Sequence, residues 1–227
     1  MTTGRIIEVT HCGRENQPVV VIENFISDPQ ALIDDACRHD YGPRGAYYPG
    51  IRAPVPPALV HQFLVGLDAT IAEVFGITGG HVLEAWYSLV TTMPSALAPI
   101  QRLPHYDGLE RGRLALLHFL GREEKGGTAF YRHRASGFES VDATRFPTYK
   151  AQLEADVARS GLPKAGYIAG DTPVFERIAL HAARFNRAIL YRGNTLHCAD
   201  IPDDLSLSTD PARGRLTVNT FLIEDAA

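Results

Sequence analysis

His105 and Asp107 stand two residues apart in LPHYDG (103–108), between a proline and a glycine. His197 follows 90 residues after Asp107, in NTLHCAD. Two imidazoles and one carboxylate can occupy one face of an octahedral Fe(II) and leave about half of its coordination shell open. Reactions that use dioxygen and a cosubstrate need such openings. Along an extended segment, residues i and i+2 lie on one side, so His105 and Asp107 can face one ion. The fold must bring the third ligand. Near the C-terminus, Arg215 opens RLTVNTF, with Thr217 two residues on and on the same face. A buried arginine beside a hydroxyl can grip a carboxylate with a charged fork and one further hydrogen bond. Each part has a plainer explanation. A chain with nine histidines contains a His-x-Asp by chance often enough, and strand arginines commonly face water. The order carries the weight: His-x-Asp, then His, then Arg-x-Thr, each on its own expected strand.

Those residues need strands to hold them, and the hydrophobic pattern supplies candidates. VVVIENF reads as a strand by its β-branched run. SDPQ then starts a helix, with Ser27 or Asp28 as cap and Pro29 in the first turn. Residues 41–57 carry five prolines and read as irregular. Leu59, Phe63, Leu67, Ile71 and Phe75, each four apart, predict one buried helix over about 57–75. From Val82 the pattern turns to strands: VLEAWYSLVTT, PIQRLPHYD, the apolar RLALLHFL, GGTAFYRHR, RAILYRGNTLHCADI and RLTVNTFLIE. FPTYKAQLEADVARSG, about 146–161, reads as a polar helix or loop between strands. Short strands behind N-terminal helices predict an α+β chain with a mainly β barrel or sandwich core.

Bulk properties agree with one domain over residues 1–227. A chain of this length buries roughly 70–75% of its unfolded surface and needs no disulfide to fold. Net charge is −4, which argues against nucleic acid or an anionic membrane as the main partner. The cysteines, Cys12, Cys37 and Cys198, are scattered and form no CxxC. No apolar run approaches the ~20 residues of a membrane span. With no signal-peptide pattern at the N-terminus, a soluble cytoplasmic protein is expected.

With PHYD (104–107), GGTAFY (126–131), NRAILYRGNTLH (186–197) and RLTVNTFL (215–222), the chain resembles the 2-oxoglutarate- and Fe(II)-dependent dioxygenases. The Gly-Gly strand and the opening VVVIENFISDPQALIDDA resemble the prolyl-hydroxylase-like branch. The resemblance spans about 18–223. It implies a double-stranded β-helix (jelly-roll, cupin-like) core over about 82–223. A helical support layer would cover about 18–80, and residues 136–180 would form an insertion able to cover a substrate. It implies His105, Asp107 and His197 as iron ligands, and Arg215 with Thr217 as the 2-oxoglutarate anchor. O2 is the oxidant it implies, and hydroxylation of a small molecule or peptide the outcome. It leaves room for a homodimer. The gap of 18 residues from His197 to Arg215 is long for the family, so Arg213 is a rival anchor.

Gln101 and Tyr131 are further candidates for the cosubstrate pocket, against plain strand positions. YYPGIR (47–52) and FYRHR (130–134) combine aromatics with arginine and are candidate substrate contacts. His118 reads as a core histidine, His133 as exposed, and Cys198 as packing. Two other readings use the same residues: a cupin-like metalloenzyme without 2-oxoglutarate, and a non-catalytic binding module.

Overall fold

The structure, a computed structural model, describes residues 4–45, 47–161 and 163–226. Ala46 and Leu162, inside two of the loops considered above, and the extreme termini lie outside the described residues. The elements run β1 (Ile6–Cys12), β2 (Gln17–Glu23), α1 (Pro29–Ala36), β3 (Gly50–Pro54), α2 (Pro57–Leu64), α3 (Asp68–Phe75) and β4 (Gly80–Val90). There follow β5 (Arg113–Phe119), β6 (Gly127–His133), α4 (Phe146–Ser160), β7 (Phe175–Ala182), β8 (Ala188–Arg192), β9 (His197–Asp200) and β10 (Leu216–Glu224). Seven strands form one sheet in the order β1-β2-β8-β5-β10-β4-β3; β7-β6-β9 form a second. Every pairing between these strands is antiparallel.

Alternation along the large sheet sorts its side chains into two layers. Leu114 and Leu116 of β5, Leu190 of β8, and Leu216 and Val218 of β10 pack with Phe25, Leu32, Ile33 and Phe63 from the helical side. Ala115, Leu117, Phe119, Ile189, Tyr191 and Phe221 point the other way, toward Phe130 of the small sheet. The chain is therefore layered as helices, large sheet, small sheet. A further cluster joins Ala129, Tyr131 and Cys198 to Tyr149 of α4, covering the back of the small sheet.

Several expectations hold locally. Asp28 caps α1, its carboxylate accepting from Ala31 N at 3.0 Å, and Pro29 is the first helical residue. β5 is central, as its apolar run requires. Others are corrected. The helix expected over 57–75 is two helices bent by 66°, because Gly66 adopts φ +83 between them. The stripe survives the bend: Phe63, Leu67 and Phe75 are all buried. The proline-rich stretch 41–57 contains β3, an edge strand, where Pro54 costs no ladder bond. PIQRLPHYD is a 3-10 turn over Pro99–Arg102 followed by an extended segment. The supposed insertion 136–180 ends inside β7, a regular strand of the small sheet. β2 lies in the large sheet, so the first 80 residues are not wholly a helical support layer. No single described helix is long and apolar enough to cross a membrane.

Candidate metal centre

β5, β8 and β10 form the floor of a cavity of about 720 Å³ between the sheets. His105 and His197 meet at its wall as an isolated antiparallel bridge. Each donates its backbone N–H to the other's carbonyl at 2.8 Å. Asp107 N donates to Gly193 O at 2.7 Å, which continues the pairing past the two histidines. The segment 103–108 needs no regular strand to be held; it borrows the two backbone contacts at 105 and 107.

The side chains converge. The imidazole centroids lie 4.5 Å apart. His105 Nε2 is 3.7 Å from Asp107 Oδ1, and His197 Nε2 is 3.5 Å from Asp107 Oδ2. One ligand atom from each of the three residues lies within 4.8 Å of the others. His197 Nδ1 lies 2.8 Å from Thr195 O. That contact places the ring proton on Nδ1 and leaves Nε2 as a lone pair toward the centre. Asp107 Oδ2 is buried with no hydrogen-bond donor.

The His105 imidazole is 45% exposed, toward the cavity; the protein packed around it and the nearby charges of His197 and Arg52 hold it below its usual value. Burial raises the Asp107 carboxyl, opposed by His197, Arg52 and Arg113. Both shifts disfavour charge in the cluster. A divalent cation would satisfy the orphaned oxygen and both lone pairs together, and would reverse that balance. Donor set, spacing and tautomer fit a 2-His-1-carboxylate ion.

Arg215 lies in the same cavity, 6% exposed. Its Nη2 donates to Gly127 O at 2.9 Å, its Nε has no acceptor, and its guanidinium lies 5.7 Å from the Phe119 ring centroid. Among the described residues no carboxylate forms an ion pair with it. Burial lowers its pKa. The rival Arg213 is 82% exposed and faces Asp210 on the surface. Thr217 also lines the cavity, and its hydroxyl donates to Asn219 Oδ1 at 2.8 Å.

Other candidates fare differently. Gln101 is on the cavity wall, on the 3-10 turn rather than a strand. Its amide accepts from Ala98 N at 2.9 Å and donates to Tyr48 O at 3.3 Å. Tyr131 is fully buried against Phe175, in the cluster behind the small sheet, and does not line the cavity. Its neighbours Thr128 and Phe130 take the inward positions; alternation within GGTAFY carried that signal. Cys198, one residue past His197, packs in the same cluster as Tyr131 and also touches the cavity.

Tyr47, Tyr48 and Arg52 of YYPGIR line the cavity. FYRHR does not: Arg132 pairs with Glu139 and Glu176, and Arg134 with Asp171. His133, expected exposed, is 0% exposed and lies 3.1 Å from Asp156 of α4. Its Arg and Ser neighbours mimic a surface segment, but α4 closes over it. His118 is a core histidine, its Nε2 3.0 Å from Asn186 Oδ1. The segment expected to cover a substrate contributes Phe146, Tyr149, Lys150, Leu153, Tyr167 and Ile168 to the cavity wall. Ser88 and Thr128, two hydroxyls without partners, were invisible to motif reading.

The chain belongs to a family of unknown function, DUF6445, whose model matches residues 4–222. No curated protein matches the chain in sequence. Among solved structures it is similar to HygX from Streptomyces hygroscopicus with nickel, 2-oxoglutarate and hygromycin B bound. The TM-score is 0.55 at 12% identity, over 92% of this chain and 84% of that one. It is also similar to SnoN, a non-heme alpha ketoglutarate dependent epimerase from nogalamycin biosynthesis. There the TM-score is 0.53 at 13% identity, over 92% of this chain and 77% of that one. At these identities the likeness is one of fold.

Proposed function

We propose that this DUF6445 member is a non-haem Fe(II)- and 2-oxoglutarate-dependent oxygenase that hydroxylates a small molecule or peptide. The observation that carries the proposal is one cavity holding both the His105–Asp107–His197 cluster and a buried Arg215 with no acid partner. The similar folds of HygX and SnoN are described with a 2-oxoglutarate ligand or dependence, which supports the reading. On its motifs we assign the chain to the prolyl-hydroxylase-like branch, with its two facing sheets as the halves of a double-stranded β-helix.

In this reading His105 Nε2, Asp107 and His197 Nε2 hold the iron. Bound metal and 2-oxoglutarate would supply the means of activating O2. The protein supplies position and exclusion of water. The Thr195 carbonyl keeps His197 in the ligating tautomer. Arg215 receives the far carboxylate of 2-oxoglutarate on its unused N–H groups, with Thr217 beside it. Their burial makes that charged contact stronger than it would be in water. Gln101 braces Tyr48 through its carbonyl, and Tyr131 takes no part. Phe146, Tyr149 and Ile168 wall the reacting space against solvent.

The test is anaerobic thermal unfolding with Mn(II), then with Mn(II) plus 2-oxoglutarate. A native-state ligand at about 100 times its dissociation constant adds about 2.7 kcal/mol. For a chain of this size that is roughly 5–10 °C in Tm. Wild type should respond to both additions, His105→Ala to neither, and Arg215→Met to the metal alone. A wild type that responds to metal but not to 2-oxoglutarate favours the cupin-like alternative. Response to neither leaves a binding module.

A further inference from the structure

The cavity contains a second arginine that the cosubstrate does not need. Arg52 sits on β3, where it pairs in register with Ser88 of β4, which pairs in turn with Thr217 of β10. Arg52 is therefore two strands from Thr217, roughly 10 Å across the sheet. Its guanidinium carbon lies 4.0 Å from the Tyr48 ring centroid. Its Nε is buried and has no acceptor. Among the described residues no carboxylate forms an ion pair with it. Arg52 lines the same cavity as His105 and Asp107.

Leaving a cation half-buried without an acid partner costs free energy, which the contact with the Tyr48 ring offsets only in part. A dicarboxylate cosubstrate whose oxo-acid end is on the metal occupies one guanidinium, Arg215. Arg52 is left for another anion. The Tyr48 ring covers one face of the guanidinium, so the edge with its planar N–H fork is the part left to bind. That fork matches a carboxylate. Arg44 and Lys150 add positive charge to the same wall; Glu84, which accepts from Trp86 Nε1 at 2.9 Å, and Asp107 are the nearby acids whose charge reaches Arg52, and neither forms an ion pair with it. Between Arg52 and α4 the lining is apolar and aromatic: Tyr106, Phe146, Tyr149 and Leu153.

We propose that Arg52 is the specificity-determining residue for the oxidised substrate, and that this substrate is an organic acid: a carboxylate on Arg52 and an apolar body against α4. As a statement about the oxidised substrate this rests on the oxygenase reading. The anion site itself does not.

The test uses the full chain loaded anaerobically with Mn(II), with and without 2-oxoglutarate. The probes are 3-phenylpropanoate and hexanoate at several millimolar, each against its primary amide. In wild type with 2-oxoglutarate the acids raise Tm further and the amides do not. In Arg52→Gln the affinity for the acids falls by about tenfold or more, while the responses to Mn(II) and 2-oxoglutarate persist and show that the variant is folded. Arg215→Met shows the opposite pattern, keeping the acids and losing 2-oxoglutarate. The proposal is overturned if amides match acids, if no acid binds wild type, or if Arg52→Gln keeps the acids. It is also overturned if Arg52→Gln loses 2-oxoglutarate, which would assign Arg52 to the cosubstrate. If wild type ignores 2-oxoglutarate, the oxygenase reading fails instead, and the acid–amide contrast on the Mn(II) form still judges Arg52.

Discussion

His105 and His197, 92 positions apart in sequence, exchange both backbone hydrogen bonds as a single cross-strand pair. Residues paired in this way project their side chains to the same side of the ladder. The imidazole contact at 4.5 Å is thus a consequence of main-chain pairing rather than of side-chain choice. The pairing of the 103–108 segment with the start of β9 and the gathering of the three side chains are one event, and a bound ion would stabilise the pairing that makes its own site.

Arg215 should be a residue kept at the expense of stability. It is buried with one hydrogen bond and no acid. Arg215→Met should leave the ligand-free protein as stable as wild type or more so, by about 1 kcal/mol. Urea unfolding without ligands measures this. A loss of several kcal/mol would mean that the guanidinium is structural. Arg213→Ala, at the surface, should change stability by less than about 0.5 kcal/mol.

Acid sensitivity should come in part from His118. Burial holds it down to about 4, against about 6.5 for a free imidazole. The unfolded chain binds its proton first, so the stabilisation is complete above pH 6.5 and is lost as pH falls from there toward 4. Over that window wild type should lose about 3 kcal/mol from this group, at 1.36 kcal/mol per pH unit. His118→Leu should remove that share of the slope. Urea midpoints of both proteins at pH 7 and pH 4 give the comparison; parallel slopes would sink the assignment.

Gly126 should resist substitution. Its φ is +66, and an added Cβ would collide with the Asp200 carbonyl of β9. The left-handed conformation alone costs a side chain about 1–2 kcal/mol. Gly126→Ala should therefore lower stability by at least about 2 kcal/mol. It should also weaken Mn(II) binding, because β9 carries His197. A normal Mn(II) titration in a destabilised Gly126→Ala would show that the strain stops short of His197.

Asp156 should matter to the fold and not to the metal. It is buried against His133 and also pairs with Arg159. Burial keeps His133 below its usual pKa and so neutral, so removing Asp156 leaves an unpaired buried polar group, which typically costs about 1–3 kcal/mol. Asp156→Ala should reach that range in thermal unfolding and keep its Mn(II) response. Loss of the metal response would mean that α4 helps to shape the centre.

The site was more legible than the frame around it. His105, Asp107, His197 and Arg215 were readable because chemistry restricts residue type and strand parity restricts spacing. β1 and β3 escaped notice because they are the two edges of the large sheet. Edge strands tolerate Pro54 and expose Ile6, Ile7 and Val9, so neither shows clean alternation. The bend at Gly66 was hidden by a hydrophobic stripe that two short helices satisfy as well as one. Tyr131 was misplaced by a single step of parity, since Phe130 is the residue of that pair that faces His197, at 6.1 Å. The unpaired state of Arg52 was not readable at all, because it depends on which acids the fold keeps away.

β10 has one further consequence, for how such chains can diverge. Arg215, Thr217, Asn219 and Phe221 face the cavity, while Leu216 and Val218 face the helices. Inserting or deleting one residue within 215–221 would exchange the two sets, driving a guanidinium into the helical core and leucine into the pocket. The loop over 201–214 carries no such constraint. Its length can drift without moving Arg215, whose place is decided by the ladder to β4 and β5. Relatives of this chain should therefore vary freely in the count from the last histidine to the arginine, and hardly at all in the odd–even order that follows it.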